Sequence, residues 1–404
     1  MKLSLCMIVK DEELLLPQCL DSAKDIVDEI VVLDTGSSDR TVEIAKAAGA
    51  TVGQFDWSDD FAAARNAALE HVTGDWVLIL DADEELNPVV APKLRALMVQ
   101  DNLLVVNLIR QELGAVQSPY SLTSRLFRHH PKLRFARPYH ALIDDSVEAL
   151  LKAEPDWEIG ALTDVAVLHY GYTAGTIAAK DKQKRAQAAM EQYLAEHPND
   201  PYVCNKLGAL YMQMSKQKSG LELLKRGVTT PNLDPMLAYE LHYHLGNAYQ
   251  KKQDGNQAVI HYQSAIAQQI LPALKLGALN NLGALLYQAG EYEMAQRPLL
   301  AAIQTDANFV LGYYNLGMAF KAAGNYKDAI TAYEKAIALQ PDYAAAYQNL
   351  GVTWFKCGKV KTALDYLGKA IAILETQNLL EAERLRREIK DMGFETPEFD
   401  VTFE

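Results

Sequence analysis

The amino-acid sequence predicts an α/β domain with a mostly parallel sheet, followed by an all-α repeat solenoid. Three observations carry this. Over the first hundred residues, short β-type runs alternate with helical patterns, as in chained βα units. From about residue 200 the pair Leu-Gly recurs at Leu207-Gly208, Leu245-Gly246, Leu282-Gly283, Leu316-Gly317 and Leu350-Gly351, a fixed period of the kind that marks stacked repeats. The chain has 404 residues, more than the roughly 250 at which a single core stops growing.

The α/β part reads in order. Leu3 to Val9 is a buried strand, followed by a helical stretch around Cys19 and Leu20. Glu29 to Leu33 is a second strand, and Thr41 to Ala48 a helix capped by Ser38 or Asp39 and closed by Gly49. Thr51 to Gln54, Phe61 to His71 and Trp76 to Leu80 continue as strand, helix and strand. A helix follows Pro88, and Leu103 to Ile109 is again β-type. Strand candidates near Ser124 to Arg128 and Val165 to His169 then stand among irregular loops. We expect this domain to occupy 1–172, a connector helix 173–197, a repeat array of about five units 198–375, and a capping helix with tail 376–404.

In the repeats, a large residue stands three places after each glycine: Tyr211, Tyr249, Leu286, Phe320 and Trp354. Alanines follow at fixed offsets (Ala258, Ala295, Ala329, Ala363; then Ala265, Ala302, Ala336, Ala370), where two helices must approach closely. The first unit is degenerate, with Gly220 and Gly227 at these positions. This pattern resembles the tetratricopeptide repeat, a two-helix unit whose stacking buries a face that a lone unit leaves exposed.

Composition narrows the function. A formal net charge of −13 without a dense Lys/Arg stripe excludes a phosphate-tracking surface, so no nucleic acid partner is expected. Cys6, Cys19, Cys204 and Cys357 lack metal-site spacing. No apolar run approaches the ~20 residues of a membrane-spanning helix, and MKLSLCMIVKDEE does not read as a secretory signal. The expected location is cytoplasmic.

The chemistry gathers where strands end. Asp11 and Glu12 follow the first strand, Asp34 the second, and Asp81 and Asp83 the fourth, all on the rim where open α/β sheets bind ligands. Alternate carboxylates in DADEE suit one hard divalent cation, although an Asp-x-Asp triplet alone also reads as a solvated turn. DTGSSDRT, from Asp34 to Thr41, joins an acid to a Gly-Ser turn and a helix N-terminus able to meet a polar ligand. Arg65, in FAAARNAAL, is placed to face anionic donor groups.

KDEE, VVLDTGSSDRT, FAAARNAAL and LDADEE, in this order, resemble the nucleotide-binding half of family 2 inverting glycosyltransferases over roughly residues 1 to 172. The resemblance implies the GT-A fold, a nucleotide-sugar donor and a Mg2+ or Mn2+ ion. It puts Asp34 and Arg65 against the nucleotide with Lys10, Asp11 and Glu12 nearby, and Asp81 and Asp83 toward metal and diphosphate. Arg125-Leu126-Phe127-Arg128, Arg134-Phe135, His140-Ala141 and His169-Tyr170-Gly171-Tyr172 are similar to a bacterial subgroup that joins this domain to tetratricopeptide repeats. By that similarity His169 is a third metal ligand.

One departure bears on catalysis. The subgroup has glutamate where this chain has Ala141, and alanine cannot take the acceptor's proton. Asp144 or Asp145 is the substitute base, or the acceptor is a nucleophile needing little help, such as a thiol, or transfer is lost and donor binding remains. The expected function is therefore a metal-assisted transferase acting on a protein, peptide or cell-surface glycan presented by the repeats. The alternative is an interaction scaffold with an impaired transferase domain. A sugar nucleotidyltransferase fits poorly, because Lys10-Asp11-Glu12-Glu13 is acidic and lacks a glycine-rich phosphate loop.

Overall fold

A computed structural model gives the architecture and describes residues 1–58, 60–137, 141–170 and 176–395. The chain divides into two compact units, Met1–Leu233 and Asp234–Glu404.

The first unit is built on one eight-stranded sheet. Its strands are β1 (Leu3–Val9), β2 (Glu29–Asp34), β3 (Thr51–Gln54), β4 (Trp76–Ile79), β5 (Glu84–Leu86), β6 (Leu103–Glu112), β7 (Tyr120–Arg128) and β8 (Glu158–His169). They lie side by side as β3-β2-β1-β4-β7-β6-β8-β5. β3, β2, β1 and β4 are mutually parallel, as is the β6/β8 pair, whereas β7 runs antiparallel to both of its neighbours and β5 to β8. The near-continuous apolar runs of β1, β2 and β4 follow from burial on both faces, since helices cover the two sides of a parallel sheet. One face packs Leu3, Leu5 and Leu78 with Leu16 and Leu20 of α1 (Leu16–Ala23), beside which runs α2 (Thr41–Ala47). The other packs Val31, Val77 and Phe127 with Ala68 and Leu69 of α3 (Phe61–Leu69).

Local chemistry sets the helix starts. Asp60 caps α3 by accepting from the backbone N–H of Ala62 and Ala63. Asp39 accepts from Thr41 N–H at the start of α2, and Gly49, at φ +80°, stops that helix where a side chain would be strained. Two elements were not legible in the sequence. The acids after Asp83 form the edge strand β5 rather than a turn, and Asp144–Ala153 forms a helix where irregular loop was expected; with α4 (Ala91–Met98) before it, this helix is α5. The unit closes with α6 (Thr176–Glu196), α7 (Pro201–Gln213) and α8 (Gln217–Val228).

Over its described residues the second unit is built of helices: α9 (Pro235–Lys251), α10 (Gly255–Ile266), α11 (Leu276–Gln288), α12 (Tyr292–Thr305), α13 (Val310–Ala322), α14 (Tyr326–Leu339), α15 (Ala344–Lys356), α16 (Val360–Gln377) and α17 (Leu379–Asp391). The recurrent glycine sits where the two helices of a hairpin touch. A Cβ on Gly283 would lie 2.5 Å from Leu299 Cγ, and one on Gly246 2.5 Å from Tyr262 Cε1. α17 lays Ala382, Leu385 and Ile389 on Leu367, Ala370 and Ile371 of α16, covering the last apolar face. Among the described residues no helix is long and apolar enough to cross a membrane.

Candidate functional site

The register of the central strands puts the acids of the sequence on one rim. Val9 pairs with Asp34 and Cys6 with Ile79, so β2, β1 and β4 deliver Asp34, Asp11 and Asp81 to the same carboxyl edge. Asp34 is buried and accepts from the backbone N–H groups of Gly36 and Ser37 at 3.2 Å, holding its own turn. Asp11, at φ +53°, accepts from Ser38 N–H and returns its own N–H to Ser37 Oγ. Glu12 N–H donates to Thr41 Oγ1, so the loops after β1 and β2 are laced together. Lys10 is exposed beside them.

Beyond β4 the site is a linked series of alternating charges. Arg65 Nη2 donates to Asp81 Oδ1 at 2.7 Å, and its guanidinium lies over the Phe135 ring. Arg125 spans two acids, Asp81 Oδ2 at 2.8 Å and Glu84 Oε2 at 3.0 Å. Arg110 continues the series from Glu84, 2.8 Å, to Glu112, 2.7 Å. Glu112 Oε2 lies 2.5 Å from His169 Nδ1, and His169 Nε2 lies 3.3 Å from Asp83 Oδ2. Asp81, Asp83, Glu84 and Glu112 are thus matched by Arg65, Arg110, Arg125 and His169, which is how so many ionic groups tolerate a site where Glu84 is only 1% exposed.

The strands place these groups. His169 is the register partner of Glu84 on β5 and of Glu112 on β6. On β7 a bulge sets Ser124 and Arg125 opposite the single Asn107 of β6, the kind of irregularity that re-aims a side chain. Ser124 Oγ then bonds both Asn107 and Asp144.

The charges shift the protonation of the groups. Burial pushes the Asp81 carboxyl up, but Arg125 and Arg65 overcome it and hold it well below the usual range. Glu112 is likewise desolvated, and its bond to His169 and the charge of Arg110 bring it down to about 2. Burial would lower His169, yet the bonds to Asp83 and Glu112 raise it to about 9. Asp144 lies at the exposed start of α5 with its carboxyl crowded by protein, which raises its pKa. Asp145 is tied to Arg137, which also holds Asp200.

Residues 4–160 match the family described as glycosyl transferase family 2, and residues 276–305, 317–358 and 344–376 match tetratricopeptide repeat families. A TPR repeat-containing protein of Synechococcus elongatus is 44% identical over 305 residues, spanning 74% of this chain and 76% of that protein. This chain belongs to the family 2 glycosyltransferases that carry tetratricopeptide repeats. The glycosyltransferase SunS of Bacillus subtilis is 28% identical over 228 residues, 55% of this chain and 52% of SunS, so the match spans about half of that relative. An uncharacterized glycosyltransferase of Rickettsia typhi is 36% identical over 101 residues, 25% of this chain and 34% of its own. Among solved structures, MamA of Desulfovibrio magneticus RS-1 aligns with 44% of this chain and 97% of its own at 22% identity and a TM-score of 0.40. The TPR protein YrrB covers 50% of this chain and 100% of its own at 20% identity and a TM-score of 0.41.

Within the family 2 domain, Asp81, expected to share a cation with Asp83, has one oxygen on Arg65 and the other on Arg125. Arg65, expected to face a donor, bonds Asp81. Asp83 and His169 remain together, and among the described residues no three His, Cys, Asp or Glu side chains converge on one cation position. The pair nevertheless fits a metal in kind: Glu112 on Nδ1 fixes the imidazole so that Nε2 faces Asp83, the carboxylate-histidine arrangement by which ligands are oriented. His140, Gly171 and Tyr172 of the sequence motifs lie outside the described residues. Ala141 packs partly buried against the core beneath α5 and brings no polar atom to the site. Sequence reasoning missed Glu84, Arg110 and Glu112. The available signal was Arg110 and Glu112, two charges at i and i+2 closing an apolar strand and therefore sharing one face.

Proposed function

We propose that this protein is an inverting glycosyltransferase that moves a sugar from a nucleotide-diphosphate donor to a protein, peptide or cell-surface glycan acceptor presented by its repeats. The observation that carries the proposal is the charge series ending in Asp83, His169 and Glu112 on the rim that also bears Asp34. Asp83 and His169 would hold Mg2+ or Mn2+, which when bound supplies Lewis-acid neutralisation of the departing diphosphate. Arg65 and Arg125 hold Asp81 ionised at the carboxyl end of β4, giving that edge a fixed shape and charge. Asp34 and the laced loops around Asp11 and Glu12 form the nucleotide side, with Lys10 at its edge.

The proton of the acceptor goes to Asp144. Its raised pKa suits a base, whereas Asp145 is neutralised by Arg137. The reaction joins the acceptor atom to the sugar carbon as the bond to diphosphate breaks. The electron pair leaves with the nucleotide, and the acceptor proton passes to the carboxylate.

Ala141 favours a second reading, a domain that binds donor without transferring it while the repeats act as a scaffold. One experiment separates the two. Purified protein with Mn2+ is offered UDP-, GDP- and dTDP-sugars, and nucleotide release is compared with that of Asp83→Ala. Release by the parent that Asp83→Ala abolishes supports transfer; equal background from both, with donor still bound, supports the scaffold; no binding of any donor overturns both.

A further inference from the structure

The segment that carries Arg134 and Phe135 is fixed at its root and leads into a strained residue. The Asn66 side chain of α3 accepts from Phe135 N–H at 2.8 Å and donates to the Phe135 carbonyl at 2.9 Å. Ser146 of α5 accepts from Arg134 N–H and donates to the Arg134 carbonyl. Ala136 and Leu142 then close an antiparallel bridge, each N–H donating to the other's carbonyl, at 2.8 and 3.2 Å. Arg137 follows at φ +72°, a left-handed conformation that a non-glycine residue keeps only where its surroundings over-determine it.

Those surroundings come from two distant parts of the chain. The Arg137 guanidinium reaches Asp145 of α5 at 3.2 Å and Asp200 at 3.3 Å, and it lies 4.7 Å over the ring of Tyr202 in α7. Asp200 precedes α7, and its other oxygen caps that helix by accepting from Val203 N–H at 2.8 Å. Its loop is also held from α8, where Arg226 donates to the Pro198 carbonyl. The second unit offers a control. Asp234 caps α9 and Asp254 caps α10 in the same way, and among the described residues neither lies within salt-bridge distance of a cation. A helix start needs the carboxylate but not the arginine, so the ion pair of Asp200 is an addition to its capping role.

What the addition reaches is the first turn of α5. Asp144 and Asp145 open that helix, and Ile143 before them supplies no side-chain cap. Asp144 accepts from the Ser124 hydroxyl at 3.1 Å, and Ser124 adjoins Arg125 of the charge series. Two neighbouring carboxylates repel each other and compete for one acceptor proton, and Arg137 engages Asp145. We infer that Arg137 and Asp200 are positioning residues for the transfer step: through them α7 restrains Asp145 and fixes the first turn of α5, leaving Asp144 as the carboxylate presented to the acceptor. The inference rests on the transferase reading above. It makes the first helical hairpin part of the catalytic machinery, in accord with a compact unit that runs from Met1 to Leu233.

The test is nucleotide release by the full chain with Mn2+ and whichever UDP-, GDP- or dTDP-sugar the parent consumes, with water standing in for the acceptor. Asp200→Asn keeps an oxygen for Val203 N–H and removes the charge that holds Arg137. It should lower kcat about fivefold or more while the donor KM stays within about twofold, the pattern of an interaction used in the transition state alone. Arg137→Gln should lower kcat likewise and carry the acid limb of the rate to higher pH. The Arg137 charge favours the ionised form of Asp144, whose other neighbours are Ser124 and Asp145. Arg137→Lys, which keeps the charge, should leave that limb in place. Variants that lose Tm but release nucleotide at the parent's rate per folded molecule reduce the pair to a staple and overturn the inference. A loss confined to donor KM, or no loss, overturns it too. No release by the parent overturns the transferase reading and this inference with it, whereas release that the variants leave unchanged overturns this inference alone. If Arg137→Gln fails to fold, Asp200→Asn decides by the same kcat and KM readings.

Discussion

Glu112 and His169 are register partners across the parallel strands β6 and β8, and their side chains meet with Oε2 2.5 Å from Nδ1. That contact decides which imidazole nitrogen is left for Asp83. If the pair Asp83 and His169 holds a divalent ion, removing Glu112 loosens the ring and frees the wrong tautomer. Glu112→Ala should weaken Mn2+ binding by roughly 10- to 100-fold. Glu112→Gln, which keeps an oxygen for Nδ1, should lose less. Calorimetric titration with Mn2+ reads both, and affinity unchanged in Glu112→Ala would remove His169 from the ligand set.

The same contact makes stability depend on pH. Desolvation opposes the imidazolium, but Asp83 and Glu112 raise His169 to about 9, above its unfolded value of roughly 6.5. A raised folded pKa stabilises fully below the unfolded value, and the contribution fades as pH climbs through about 9. The depressed Glu112 pKa describes the same hydrogen bond, so the two shifts are not added. With His169 about 18% exposed at its side chain, the loss is on the order of 1–3 kcal/mol. Denaturant midpoints of metal-free protein should fall between pH 6.5 and 9.5, and His169→Gln should flatten that fall.

Arg125 is the hinge of the charge series. Among the described residues it is the cation that bonds both Asp81 and Glu84, and its side chain is 16% exposed. Arg125→Leu leaves Glu84, 1% exposed, with Arg110 as its cation and the Asp81 N–H on its other oxygen, and removes one of two cations from Asp81. Breaking a buried ion pair from one side typically costs about 3–5 kcal/mol. Lysine is a poor replacement, because one ammonium cannot present the fork that reaches two carboxylates at once. Equilibrium unfolding should rank parent above Arg125→Lys above Arg125→Leu; an Arg125→Lys variant as stable as the parent would show that charge alone, without the fork, is what the site uses.

The legible parts of this protein are those written in local pattern. β2 and β4 announced themselves as apolar runs stopping at Asp34 and Asp81, and the shared rim of those acids followed from alternation with helices. The repeats were legible because Gly246, Gly283, Gly317 and Gly351 each answer a contact within one hairpin. The pairing of Arg125 with Glu84 was not legible, since it joins residues 41 apart through a bulge that no period encodes. Likewise Asp81 and Asp83 look equivalent in DADEE. Only the packing of α3 and β7 assigns one to arginines and the other to His169.

The glycine contacts give the sharpest test of the repeat packing. A Cβ at Gly283 would meet three carbons of Leu299, the nearest at 2.5 Å, so Gly283→Ala must push α11 from α12 or force Leu299 off its rotamer. Overpacking of this kind costs about 1–3 kcal/mol, which outweighs the gain of less than 1 kcal/mol that alanine brings to a helix interior. Leu299 is itself fully buried beside Ala295 and Leu316, so Leu299→Ala costs about 2–5 kcal/mol through its cavity. The two changes share one volume, and the double variant should be less destabilised than their sum by about 1 kcal/mol or more. A strictly additive result in a denaturant double-mutant cycle would show that the glycine is required by something other than Leu299.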